Sequence, residues 1–126
     1  MKYRELYEKA LEVMPRAYAP FSRFKVGAAL LTKDGEVFTG VNVENSSLGA
    51  TICAERTAFV KAVSEGATEF EAIAVVSEEG EVWPCGICRQ FMKEFCDDDF
   101  RVITGNDVDS LRLYTMDEIL PEGFKL

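Results

Sequence analysis

The stretch KVGAALLTKDGEVFTGVNVE, Lys25–Glu44, reads as two strands and the turn between them. KVGAALL is apolar on both faces, which suits a strand covered from both sides. Asp34-Gly35 supplies a two-residue hairpin turn, so EVFTGVNVE should return antiparallel to the first strand. A sheet covered on both faces needs helices above and below it, and the flanking sequence provides them. Upstream, Tyr3, Leu6, Tyr7, Ala10, Leu11 and Met14 recur at helical spacing until Pro15, which ends or kinks that helix. Downstream, Ala54, Ala58, Phe59, Ala62 and Val63 line one face of a helix that Gly66 can terminate. EFEAIAVVS, Glu69–Ser77, follows as a buried strand, and Ile87, Phe91, Met92, Phe95 and Cys96 repeat the helical stripe. FRVIT and LRLYT are two short strands, and Thr115 is the N-cap of a brief last helix stopped before Pro121. The expected fold is α/β, a three-layer α-β-α sandwich with a mixed five-stranded sheet, in one domain over residues 1–126.

Composition narrows the function. The 126 residues are one domain's worth, and no apolar run approaches the roughly 20 residues of a membrane span. The opening MKYRELYEKALEVM lacks the continuous apolar core of a secretory signal, so a cytoplasmic protein with four reduced cysteines is expected. A net charge of −8 with scattered Lys and Arg argues against nucleic acid as a partner and leaves a small neutral molecule in a pocket. There is no histidine, so acid-base work near pH 7 falls to a carboxylate, a cysteine or a metal-activated water.

Two helix starts carry the chemistry. TICAERTAFVKA, Thr51–Ala62, sets Cys53, Glu55 and Arg56 together, and WPCGICRQF, Trp83–Phe91, contributes Cys85 and Cys88. Without imidazole, the soft ligand set open to zinc is Cys53, Cys85 and Cys88. One helical turn can aim Cys85 and Cys88 at one ion, while Cys53 arrives from the other helix. Each helix N-terminus favours the thiolate that a metal needs. Cys96 lies in an apolar stripe and reads as a buried core thiol, which leaves three ligands and an open position for water. Three thiolates and Zn2+ sum to −1, a charge that weakens the pull on water unless Arg56 donates to the sulfurs; an ordinary surface ion pair is the other reading of Arg56. Glu55, two residues from a ligand, suits a proton shuttle that does not itself bind the metal.

CAERTA and PCGICRQ, with YAPFSRFKVGAALLTKDG, NVEN and ILPEGF, resemble the zinc-dependent cytidine deaminases of the small homotetrameric type, over nearly the whole chain. The resemblance implies hydrolytic deamination of free cytidine and deoxycytidine to uridine and deoxyuridine, with release of ammonia, as in pyrimidine salvage. It implies one Zn2+ per subunit, water activated on that zinc, and Glu55 carrying the proton to the ring and then to the leaving amino group. The Ala54 N–H would hold the 2-oxo group of the base. Strand alternation puts Asn42 and Glu44 on one face, either a solvent face or, as the resemblance implies, a grip on the ribose 3'-hydroxyl. Phe24 would pack on the base, its plain alternative being core. Phe124 would reach a neighbouring subunit's pocket or cap its own core, with active sites near subunit interfaces.

The chain departs from the family pattern at Leu48, where relatives often carry Tyr, and Pro15 shortens the first helix. Three rivals stand beside this reading: a structural-zinc protein in which Cys96 completes a four-sulfur site, a thiol redox protein using CGIC, and an aminohydrolase acting on another cytosine-bearing molecule such as a nucleoside antibiotic.

Overall fold

The computed structural model describes residues 2–126. Its helices are α1 (Lys2–Val13), α2 (Ala54–Ser64), α3 (Gly86–Phe95) and α4 (Met116–Ile119), and its strands β1 (Val26–Thr32), β2 (Val37–Val41), β3 (Phe70–Ser77), β4 (Arg101–Gly105) and β5 (Leu111–Thr115). The strands form one sheet in the order β2-β1-β3-β4-β5. Pairings are antiparallel except between β3 and β4, so the expected mixed five-stranded sheet is present.

Alternation along the strands builds two cores. Ala29, Leu31, Ala72, Ala74, Val76 and Ile103 face Leu6, Tyr7 and Ala10 of α1. On the other side Ala28, Leu30, Ile73, Val75 and Val102 meet α2, α3 and α4. Phe59 of α2 is the hub of this second core, with the rings of Phe70, Phe91, Phe95 and Phe100 at centroid distances of 5.0 to 6.2 Å. The three layers expected from the sequence are therefore α1, the sheet, and α2 with α3 and α4.

Local signals act as read. α1 ends at Val13 and a 3₁₀ turn, Met14–Arg16, holds Pro15 in its first turn. α2 closes on Gly66, at φ +99°, with Ala67 N–H donating to Ala62 O and Gly66 N–H to Val63 O. Thr115 and Glu118 form a reciprocal capping box at α4. The hairpin differs from expectation. Thr32 N–H bonds Glu36 O and Gly35 N–H bonds Thr32 O, so the loop is three residues, Lys33–Gly35. Only Gly35 takes positive φ, whereas a two-residue type I′ turn needs it at both central residues.

Topology explains why the two cysteine motifs meet. β2 and β3 both run antiparallel to β1, and β4 runs parallel to β3, so all three point the same way. The segments leaving β2 for α2 and β3 for α3 therefore depart from the same end of the sheet. Gly40 lets α2 start close against β2: a Cβ there would lie 2.5 Å from Ala54 O and 2.5 Å from Ala58 N.

Candidate active site

Cys53 is the N-cap of α2 and Cys85 the N-cap of α3, both with extended backbone, and Cys88 lies one turn into α3. The Cys53 and Cys85 sulfurs are 3.7 Å apart and those of Cys85 and Cys88 3.4 Å, with all three within 4.8 Å of one another. Sulfurs around one tetrahedral zinc, at about 2.3 Å from it, lie about 3.8 Å apart. The set fits that ion in donor type and spacing, and these three are the one group of ligating side chains found together among the described residues. Cys96 is buried elsewhere, in the α2–α3 core, where burial and the neighbouring Asp97 and Asp99 push its thiol up.

Electrostatics place a negative charge on Cys53. The Cys53 thiol is lowered to about 5, first by the Cys88 thiol and then, against the cost of burial, by Arg56 and Cys85. Cys88 is driven upward by the Cys53 thiolate beside it and by burial. Arg56 donates from Nη2 to Cys53 Sγ at 3.4 Å, so it faces the sulfurs and not solvent. Its Nε is buried with no hydrogen-bond partner among the described residues. Burial works against its charge, but the contacts with Cys53 and Cys88 prevail and raise its pKa. Glu55, in the first turn of α2, is 4% exposed. Burial, opposed by a backbone hydrogen bond and aided by the Cys53 charge, raises its carboxyl to about 7.

A cavity of about 270 Å³ opens beside these groups. Cys53, Ala54, Glu55 and Cys85 line it, as do Phe24, Asn42 and Glu44. β2 ends at Val41, short of the strand expected through Glu44, yet the extended backbone continues: Val43 bridges Tyr18 and Ile52, and its neighbours Asn42 and Glu44 both turn to the cavity. Asn42 accepts from Val26 N–H at 2.9 Å and donates to Phe24 O at 2.8 Å. Glu44 Oε1 accepts from the Phe21 and Ser22 N–H groups, and Oε2 accepts from the Ser22 hydroxyl. Phe24 lines the cavity and also packs on the α2–α3 core, as its plain alternative expected. Phe124 is not in this chain's cavity; it is 64% exposed, its carbonyl held by Gln90 Nε2. Leu48 is likewise exposed, at the start of the 3₁₀ turn Leu48–Ala50.

Sequence reading missed part of the wall. Val82 and Trp83 line the cavity, and the Trp83 ring packs tilted against Tyr114, centroids 4.6 Å apart, with Arg112 over both rings. Their position just before a ligand was the available signal, since two residues of chain cannot carry Trp83 far from Cys85. Arg89 holds this loop, donating from Nε to Pro84 O at 2.7 Å and from Nη1 to Ile119 O at 2.8 Å.

Three sulfurs beside a buried carboxylate in a half-open cleft fit a zinc-binding deaminase site, and the family model of the cytidine and deoxycytidylate deaminase zinc-binding region matches residues 1–104. The chain belongs to that family. A cytidine deaminase of Halalkalibacterium halodurans is 49% identical over 125 residues, which cover 98% of this chain and 95% of that protein. The crystal structure of cytidine deaminase from Burkholderia pseudomallei, 46% identical, superposes with a TM-score of 0.91 over 98% of this chain and 100% of the other. A blasticidin-S deaminase of Bacillus cereus is 35% identical over 93% of this chain and 88% of its own length.

Proposed function

We propose that the chain hydrolyses free cytidine and 2'-deoxycytidine to uridine and deoxyuridine, releasing ammonia, as a step of pyrimidine salvage in the cytoplasm. The observation that carries this reading is the placement of three sulfurs within 4.8 Å of one another beside a buried carboxylate, in a cavity whose other lining residues suit a nucleoside. Cys53, Cys85 and Cys88 would hold the zinc, which supplies Lewis-acid activation of the attacking water.

The remaining work belongs to the chain. Glu55 takes a proton from the attacking water and gives it to ring nitrogen 3 as the oxygen bonds carbon 4; it then carries the remaining proton of that oxygen to the amino group, so that the carbon 4–nitrogen bond breaks, ammonia leaves and the carbonyl forms. Arg56 offsets the negative sulfur cluster. Ala54 opens α2, where an N–H has no partner within the helix, and this donor holds the 2-oxo group. Phe24 packs on the base. Asn42 retains one N–H and one lone pair beyond its backbone bonds, and the Glu44 carboxylate, with about four acceptor sites, has three filled. The site left on Glu44 Oε2 accepts from the ribose 3'-hydroxyl.

Exposed Tyr18, Phe21, Leu48 and Phe124 supply apolar surface for a homotetramer with sites near its interfaces, where Phe124 enters a neighbour's pocket. Sedimentation of the purified protein should give four times the chain mass. The function is tested by ultraviolet assay of the zinc-loaded protein on cytidine, 2'-deoxycytidine and blasticidin S. Turnover of the two nucleosides is expected; turnover of the antibiotic alone would overturn the substrate assignment.

A further inference from the structure

We propose that Ser22 is a positioning residue that aims the one open acceptor site of Glu44 at the sugar, so that recognition of the 3'-hydroxyl depends on a side chain that need not touch it. The inference rests on the reading of Glu44 as a ribose ligand.

Both Oε1 sites are filled by backbone N–H groups, from Phe21 at 2.9 Å and Ser22 at 3.1 Å. Among the described residues Oε2 accepts from the Ser22 hydroxyl alone, the one bond that orients the carboxylate from the side of its open lone pair. Ser22 Oγ is itself fixed, accepting from Phe24 N–H at 3.1 Å. Phe24 O in turn accepts from Asn42 Nδ2. One continuous set of bonds therefore runs Glu44–Ser22–Phe24–Asn42, joining the two proposed sugar contacts to the aromatic wall. Ser22, Phe24, Asn42 and Glu44 all line the cavity.

The backbone bears a cost for this arrangement. Arg23, between Ser22 and Phe24, has φ +58°, a left-handed conformation unfavourable for a residue with a Cβ. Its N–H closes a turn onto Ala19 O, and that turn points the Phe21 and Ser22 donors at one carboxylate. Strain held in place beside a cavity is what a site-building turn shows. The Ser22 hydroxyl is also the foremost cause of the Glu44 carboxyl lying below its usual range.

The test compares 2'-deoxycytidine with 2',3'-dideoxycytidine, which lacks the 3'-hydroxyl, on the zinc-loaded wild type, Ser22→Ala, Ser22→Thr and Glu44→Gln. Ser22→Ala should raise KM for deoxycytidine about tenfold with little change in kcat and leave the dideoxy compound nearly unaffected, narrowing the discrimination between them; the factor is that of one hydrogen bond to a charged group. Ser22→Thr, which keeps the hydroxyl, should restore it. Should Ser22→Ala not fold, Ser22→Cys, near-isosteric with a feeble donor, gives the same comparison. If Glu44→Gln loses the discrimination while the Ser22 variants keep it, the positioning role is overturned and the ribose reading stands. If Glu44→Gln keeps it, the ribose reading falls and the inference with it.

Discussion

Replacing Gly40 with alanine tests whether the sheet, through one missing methyl group, sets the geometry of the sulfur cluster. A Cβ at this position would lie 2.5 Å from both Ala54 O and Ala58 N. Both are backbone atoms of α2, so neither can rotate aside. Relief to ordinary contact at 3.4 Å requires the first turns of α2 to move by about 0.9 Å. That turn begins at Cys53 and carries Ala54, Glu55 and Arg56, whereas Cys85 and Cys88 ride on α3 and stay behind. Metal-ligand distances hold within about 0.2 Å, and a misplacement of about 1 Å in a catalytic array costs on the order of 100-fold. Gly40→Ala should therefore bind zinc more weakly against a competing chelator and lose about 100-fold in kcat/KM on cytidine. Circular dichroism should retain the folded spectrum. A folded Gly40→Ala protein with wild-type zinc affinity and turnover would refute the claim that this close approach places Cys53.

Glu55 links chemistry to stability. In protein stripped of zinc, its carboxyl titrates at about 7 against an ordinary 4.5, so the folded state holds a proton that the unfolded chain has released across that window. This contribution is fully present below pH 4.5 and is lost as pH rises through 7, in total about 3 kcal/mol. Glu55→Gln lacks the titration, so its stability relative to wild type should grow by about that amount between pH 4.5 and 8 in urea unfolding; a constant difference would contradict the buried carboxyl. In the zinc-loaded enzyme the same substitution should keep the metal and lower kcat by 10² to 10⁴-fold, as removal of a proton carrier does, and near wild-type turnover would refute that role. Cys96→Ala should retain one zinc per chain by atomic absorption, because Cys96 packs in the α2–α3 core away from the sulfur cluster; loss of the metal would revive a four-sulfur site.

Much of the site was legible because its signals are local. Cys85 and Cys88 are separated by one helical turn, and Cys53, Glu55 and Arg56 share another, so spacing and residue type sufficed to group them. Helix ends at Pro15, Gly66 and Thr115 were legible for the same reason. The hairpin loop was not, because Asp34-Gly35 suits both a two-residue turn and the three-residue loop that forms, and only the position of the bond from Thr32 to Glu36 separates them. Sheet order, and with it the reason that both helix starts share one end of the sheet, depends on pairings such as Ala29 with Ala74 and Ile73 with Val102 that no periodicity reveals. The Ser22–Glu44 bond spans 22 residues, and the contact between Trp83 and Tyr114 joins a loop to an edge strand. Such long-range partners emerge only from the folded chain. Nothing local marks Gly40 either, because its role depends on α2 lying against it.

The most direct measurement is of deamination before and after exhaustive, verified removal of zinc under reducing conditions, followed by re-addition of one equivalent per chain. If Cys53, Cys85 and Cys88 hold the ion on which the reaction depends, cytidine turnover should vanish with the metal and return in proportion to the zinc restored. Undiminished turnover in protein shown to contain none would contradict the account at its centre.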